Sequence, residues 1–300
     1  IVASRVLLST DDVLEAEAGL EEVIRVAQRR RAAAAVAWTR LILSILHGRQ
    51  GRVAEANDEF DRALGELPLE QWHPTARPKI LAHQMGLRLE SGLLDEAERL
   101  AEAEPPAGAE SSVGWAQLLL VKGILLLRTG RAMEAADRIV EAGRLLLARG
   151  WTNPAMYAWR SFAAGAYRAV GDDREAERLV GEELELAGRW GVPSTLGGTH
   201  LNAAMTLPAP GRSRHLEAAV RLLATSPLKS RYATAVLMLA AERQAAGEHE
   251  DLAALVAEGG MLAWRLGSRA LVEQAEALGW QAERPDVRKL AKSGPGGDRR

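Results

Sequence analysis

The chain has no cysteine in its 300 residues. Disulfides, thiolate nucleophiles and cysteine-ligated zinc are therefore excluded. Aromatic residues are scarce, at 4%, so Ala and Leu must fill the interior. Small side chains let helices approach each other closely, but they do not wall a deep pocket. Neither sign of charge dominates: 38 basic residues face 40 acidic ones, a net charge of −2. That balance argues against a broad phosphate-binding face. No apolar run reaches the length needed to cross a bilayer, and no alternation of β-branched residues reads as a strand. The opening Ile1 to Leu8 lacks a starting Met and is too short for a signal peptide. It reads as the cut end of a helix, so the expectation is a cytoplasmic fragment of a longer protein.

The usual chemical signatures are missing too. Only Lys229 and Lys292 are followed by Ser, and neither follows Gly, so no P-loop is present. His47, His73, His83, His200, His215 and His249 are scattered and form no i, i+4 metal pair. No Gly-x-Ser-x-Gly elbow occurs. No catalytic residue, metal site or cofactor is expected, and the chain is not read as an enzyme.

What is present is a repeat. Gly, a few polar residues and then Glu-Ala opening a helix recur at Gly51 to Ala56, Gly92 to Ala97, Gly130 to Ala135 and Gly171 to Ala176. A weaker copy starts at Gly247 and a degenerate one at Ser213. Gly takes the left-handed conformation that ends a helix within one residue. The Ala five positions later falls where two helices touch. A larger side chain there would overpack the contact, at roughly 1–3 kcal/mol. The period of roughly 38 residues fits a helical hairpin slightly longer than a tetratricopeptide repeat.

The pattern therefore predicts an all-α fold: a right-handed superhelical solenoid of about seven tetratricopeptide-like hairpins. The helix at residues 11–30, capped by Thr10 or Asp11, closes a first, incomplete hairpin. Pairs follow at 32–47 with 53–67, 79–91 with 95–103, and 113–129 with 133–149. The next are 154–170 with 172–190, 195–206 with 215–224, and 230–246 with 251–266. A helix at 268–278 closes the array. Asn153 is read as an N-cap with Pro154 at the first helical position. Phe60 and Ala63 are read as a large and a small packing residue. Gly123 is read as a close helix contact. Residues 1–282 form the repeat domain, with a flexible joint near 105–112; Pro208 to Gly211 is a second weak point. Residues 283–300 read as a disordered tail.

Trp38, Trp115 and Trp159 fall on first helices of hairpins, with Arg40 and Arg160. These five are the candidate concave-face binding residues. For each tryptophan, core packing is the stronger reading. Trp151, Trp190, Trp264 and Trp280 fall near helix ends, where they would plug gaps between repeats. Arg160 is expected level with Glu183 across its hairpin, so an Arg160–Glu183 pair is predicted.

Asn153-Pro154 with Trp159-Arg160, Glu183-Leu184 and Arg189-Trp190-Gly191 together resemble a known family. Ala224 to Pro227, Gly267 to Leu271 and the Ala37 to Arg40 helix resemble it too. The family is the large ATP-binding regulators of the LuxR class, actinobacterial transcription activators; the likeness is to their C-terminal helical repeats. It implies a signal-sensing or protein-interaction region. In that family an ATPase domain precedes the repeats and a helix-turn-helix domain follows them; neither is in these 300 residues. The partner implied is a protein or a small-molecule effector, in a cytoplasmic protein; a homo-oligomer is left open. No direct contact with nucleic acid or membrane is implied. The alternative is a free-standing scaffold that binds a peptide or protein in its concave groove.

Overall fold

The computed structural model describes residues 7, 9–104 and 106–281; at 209 and 210 only the backbone is described. The described residues form fourteen α-helices, one short 3₁₀ turn and no strand. The first hairpin is α1 (Val13–Arg29) against α2 (Ala33–Gln50). After it come α3 (Val53–Glu66), α4 (Arg77–Glu90), α5 (Leu94–Ala101), α6 (Val113–Arg128) and α7 (Ala132–Leu147). Then follow α8 (Trp159–Ala169), α9 (Asp173–Trp190), α10 (Pro193–Thr206) and α11 (Ala209–Leu223). The last are α12 (Lys229–Ala246), α13 (Leu252–Arg265) and α14 (Arg269–Ala277).

The packing order is that of a helical repeat. From α2 to α11 each first helix lies on its own return helix, and successive first helices touch: α2 on α4, α4 on α6, α6 on α8, α8 on α10. The return helices α1, α3, α5, α7 and α9 each touch the helix that follows. The core is accordingly a relay of clusters rather than one interior. Trp38 belongs to both the first and second clusters. Trp115 and Ile124 join the third to the fourth.

The turn signature explains the spacing. Gly51, Gly92, Gly130, Gly171 and Gly247 all lie in the left-handed region, with φ from 72° to 87°. Ala56, Ala97, Ala135 and Ala176 are buried. Phe60 and Ala63 are buried together in the second cluster. Two further glycines set helix separation. A Cβ at Gly143 would sit 2.5 Å from the Trp159 ring, and one at Gly123 would strike Ile139. α7 can reach α8 only because position 143 has no side chain.

Four expectations need correction. Neither Thr10 nor Asp11 caps α1, whose N-cap is Asp12. Asn153 does not cap α8. Its Oδ1 accepts the Ala155 N–H at 2.9 Å, and the chain turns through Tyr157 before the helix starts at Trp159. An Asx turn satisfies the backbone locally there, and so competes with helix initiation. Pro208 to Gly211 does not separate two helices by a loop, because Ala209, Pro210 and Gly211 are the first turn of α11. Proline fits a first turn, where its missing N–H costs nothing. Trp264 plugs no gap: it is 50% exposed.

Packing divides the chain into two compact units, Ile1–Ala235 and Val236–Arg300, with the division inside α12. In the second unit, Gly259 admits Leu237 and Gly260 admits the Trp280 ring. In the first, the array bends until its start meets its later hairpins. The Trp190 indole N–H donates to the Ser9 carbonyl at 3.0 Å. The Ser194 N–H, at the start of α10, donates to Asp11 Oδ2 at 2.9 Å. Asp11 caps a helix 183 residues away, from a backbone with φ +67°. The segment 106–112 links α5 to α6. The expected disordered tail lies outside the described residues.

Candidate binding site

The first helices of unit one line a cavity of ≈ 100 Å³ that is open to solvent. α2 supplies Ile42, Ile45 and Arg49; α4 supplies Lys79; α6 supplies Gln117. The turn before α8 supplies Ala155, Met156 and Tyr157. Trp38, Ile42, Ile45 and Arg49 make one helical stripe along α2. Tyr157 is held by an edge-to-face contact with Trp151, ring centroids 5.7 Å apart.

Three polar groups mark this cavity. The Arg49 guanidinium takes part in no hydrogen bond or ion pair among the described residues. Burial, and secondarily the charge of Arg231, lower its pKa, while Asp11 acts the other way. Gln117 Oε1 is buried without a hydrogen-bond partner. The Lys79 ammonium lies over the Trp38 ring, 5.2 Å from its centroid. Arg231 of α12 is also desolvated; it donates to Asn202 Oδ1 at 3.2 Å and to the Gly198 carbonyl at 3.5 Å.

None of the five candidate residues from the sequence lines this cavity. Trp38 stands next to it, half-buried, with its ring 5.4 Å from Trp72. Arg40 is taken up by Glu59 at 2.8 Å. Trp115 is half-buried between two core clusters, under the Lys122 ammonium. Trp159 and Arg160 are each only 7% exposed. Arg160 lies over the Trp159 ring at 4.6 Å, with Nε 3.2 Å from Glu182 Oε2 and Nη1 3.7 Å from Glu183 Oε2. The pair with Glu183 is thus present, but the nearer carboxylate is Glu182. Desolvation pushes the Glu183 pKa up to about 7, against the opposing pull of Arg160.

Sequence reasoning missed Ile45, Arg49, Lys79, Gln117 and Met156. The α2 stripe through Trp38 was the available signal. Arg49, two residues before Gly51, reads instead as an ordinary helix C-terminal cation.

Two other clusters bring titratable side chains together. Ser44 Oγ donates to the Ala56 carbonyl at 2.6 Å, so His83 Nε2, 2.7 Å away, must donate to Ser44. That serine proton is already spent, and burial pushes the His83 pKa down to about 4. His200 and His215 meet Nδ1 to Nδ1 at 2.9 Å, and burial lowers both pKa values. No group of three or more acidic or His side chains among the described residues could hold a metal. A larger cleft of ≈ 330 Å³ lies beside the 106–112 loop. Its one charged side chain, Arg149, is engaged by Ser111 at 3.0 Å. No helix among the described residues is long and apolar enough to cross a membrane.

No protein-family model matches the chain, and no curated protein matches it either. Solved structures do. A Rap protein complexed with a competence and sporulation factor superposes with a TM-score of 0.68 at 11% identity, covering 91% of this chain and 78% of that one. BtubC (BKLC) from P. vanneervenii superposes with a TM-score of 0.47 at 15% identity, covering 85% of this chain and 95% of that one. At such identity the first likeness establishes the fold alone, and the second carries no argument: the chain is an all-α helical repeat of the tetratricopeptide type.

Proposed function

We propose that this chain is a binding scaffold that receives an extended peptide segment of a partner along the first helices of unit one. One observation carries the reading: successive hairpins converge apolar and polar side chains on a single open cavity. Its size matters. Small-molecule sites run to roughly 300–1,000 Å³, whereas ≈ 100 Å³ takes one side chain. An extended segment can place one anchor there and run its backbone along the neighbouring helices. Repeats that touch only their neighbours provide the long surface such a segment needs. The Rap protein of the same fold is complexed with a competence and sporulation factor, which supports an occupied groove here.

The test is retention of pentapeptides from a random pool through gel filtration, read by mass spectrometry. The parent chain should retain a biased subset. Ile45→Trp, which fills the cavity, should lose that subset while keeping its helical circular dichroism. No retention by the parent would contradict the scaffold reading.

A narrower version is the sensor region of a LuxR-class regulator. It is supported by a coincidence of position: the stretch Asn153 to Arg160, which carries the resemblance, also supplies Ala155, Met156 and Tyr157 to the cavity. Reading the coding sequence beyond position 300 decides it. An in-frame helix-turn-helix domain supports the regulator, and an immediate stop codon removes it.

A further inference from the structure

Two histidines join α10 to α11, and their contact limits how many protons it can hold. His200 of α10 and His215 of α11 meet Nδ1 to Nδ1 at 2.9 Å, with ring centroids 5.1 Å apart. The centroid spacing exceeds the nitrogen spacing by about the width of one ring, so the two nitrogens face each other head-on. One Nδ1 carries the proton and the other offers its lone pair. We infer that this pair is an acid-operated lock on the α10–α11 hairpin: it holds while one proton lies between the rings and opens when the accepting nitrogen is protonated too. The lock is independent of what the cavity receives.

In the neutral pair the donor ring has an unprotonated Nε2, and the acceptor ring carries its hydrogen on Nε2. A first added proton goes to the donor's Nε2, and the bond survives with a charged donor. A second can go only to the lone pair that the bond uses. Two imidazolium N–H groups then face each other where one bond was. The surroundings resist that second charge. Burial lowers both pKa values most, and Arg214 adds to it on both rings. His215 and Arg221 add to it on His200. Arg231 of α12 also lies against α10, on Asn202 and the Gly198 carbonyl. α8 and α9 pack on α10 as well, but Arg160 is held there by Glu182 and Glu183, and Arg168 by Asp173. The one carboxylate between 193 and 224 is Glu217, on the same helix as His215 and exposed.

His200 is half-buried and can turn outwards, but His215 is only 7% exposed. Its imidazolium reaches water only if α11 moves off α10. The helices are tightly packed at the far end, where a Cβ at Gly197 would be 2.8 Å from Leu223. The hairpin therefore opens from its turn at Leu207. The open form binds a proton that the closed form refuses, so acid favours opening. Closure is complete only above the ordinary histidine value of 6.5.

Amide exchange of the whole chain at pH 7.5 and pH 4.5 tests this, expressed as protection relative to an unstructured chain. On going to the lower pH, protection at 200–206 and 211–217 should fall at least about tenfold more than in α2 and α6. An equal change in all these helices, or none, would overturn the lock. His200→Gln leaves one imidazole facing an amide that accepts its proton, so that hairpin should keep its protection at both pH values. A fall as large as the parent's would assign the effect to another group and overturn the inference. Should the variant not fold, the parent with nitrogen-15-labelled histidine decides. The two rings should titrate in two separate steps, and hairpin protection should be lost with the second. Titration of both rings in one step, or opening at the first, would contradict the lock.

Discussion

Arg160→Ala should destabilise the chain by about 3 kcal/mol at pH 8, the usual scale for breaking a buried ion pair by removing one member. Glu183 is fully buried. Without Arg160 its carboxylate keeps only Ser161, through the hydroxyl at 3.5 Å and the backbone N–H. The variant answers by protonating that carboxyl, because Arg160 is what holds its pKa down towards 7. The loss must therefore grow with pH. Where the variant's Glu183 is protonated and the parent's is ionised, it deepens by up to about 1.4 kcal/mol per pH unit. Glu183→Gln should cost less, since Arg160 still has Glu182 at 3.2 Å. Urea unfolding at pH 6 and pH 8 reads all of this. A loss for Arg160→Ala below about 1 kcal/mol at both pH values would show that the 3.7 Å contact carries no energy, as exposed pairs usually do not.

The second large effect is a pair of opposed pH slopes. His83 has its pKa pushed down to about 4 in the folded chain, from 6.5. Between those values the unfolded chain binds a proton that the folded one refuses, so stability rises with pH and is complete above 6.5. Glu183 does the reverse. Its folded pKa of about 7 lies above the ordinary 4.5, so the folded chain holds the extra proton and stability falls as pH rises from 4.5 to 7. Each shift corresponds to roughly 3 kcal/mol over its whole range. From pH 4.5 to 6.5 the two cancel, and the lowered pKa values of His200 and His215 leave a shallow rise. Removing either partner of this balance unmasks the other. Glu183→Gln should make stability climb steeply through that window, and His83→Gln should make it fall. Urea midpoints at pH 4.5, 5.5 and 6.5 check it; variants that run parallel to the parent would refute both assignments.

The hairpins were legible in the sequence because their punctuation is local chemistry. Gly171 and Gly191 stop helices by adopting φ of +87° and +74°. Asp172 caps α9 through the Glu175 N–H at 3.1 Å. Ala176 is small where two helices meet. None of this depends on distant residues, so spacing alone reveals it. The start of α8 failed because Asn153-Pro154 supports two local solutions, a helix cap or an Asx turn. Packing of Tyr157 against Trp151 accompanies the one adopted. The contact between Asp11 and Ser194 was invisible, because it follows from curvature accumulated over many hairpins. The site failed for a related reason. Aromatic and arginine residues attract attention in a sequence, yet Trp159 and Arg160 are consumed inside their own hairpin. Arg49 is singled out only by the cavity it lines, and that is seen only in three dimensions.

The central claim is that the face where α2, α4 and α6 meet the 153–157 turn is a binding groove. Hydrogen exchange with and without the pentapeptides that the parent chain retains addresses it directly. The account predicts slower exchange within Ile42 to Arg49, Lys79 to His83, the first turns of α6, and Ala155 to Tyr157. Exchange in α7 and α9 should stay unchanged. Protection spread evenly over all helices, or confined to α7 and α9, would contradict it.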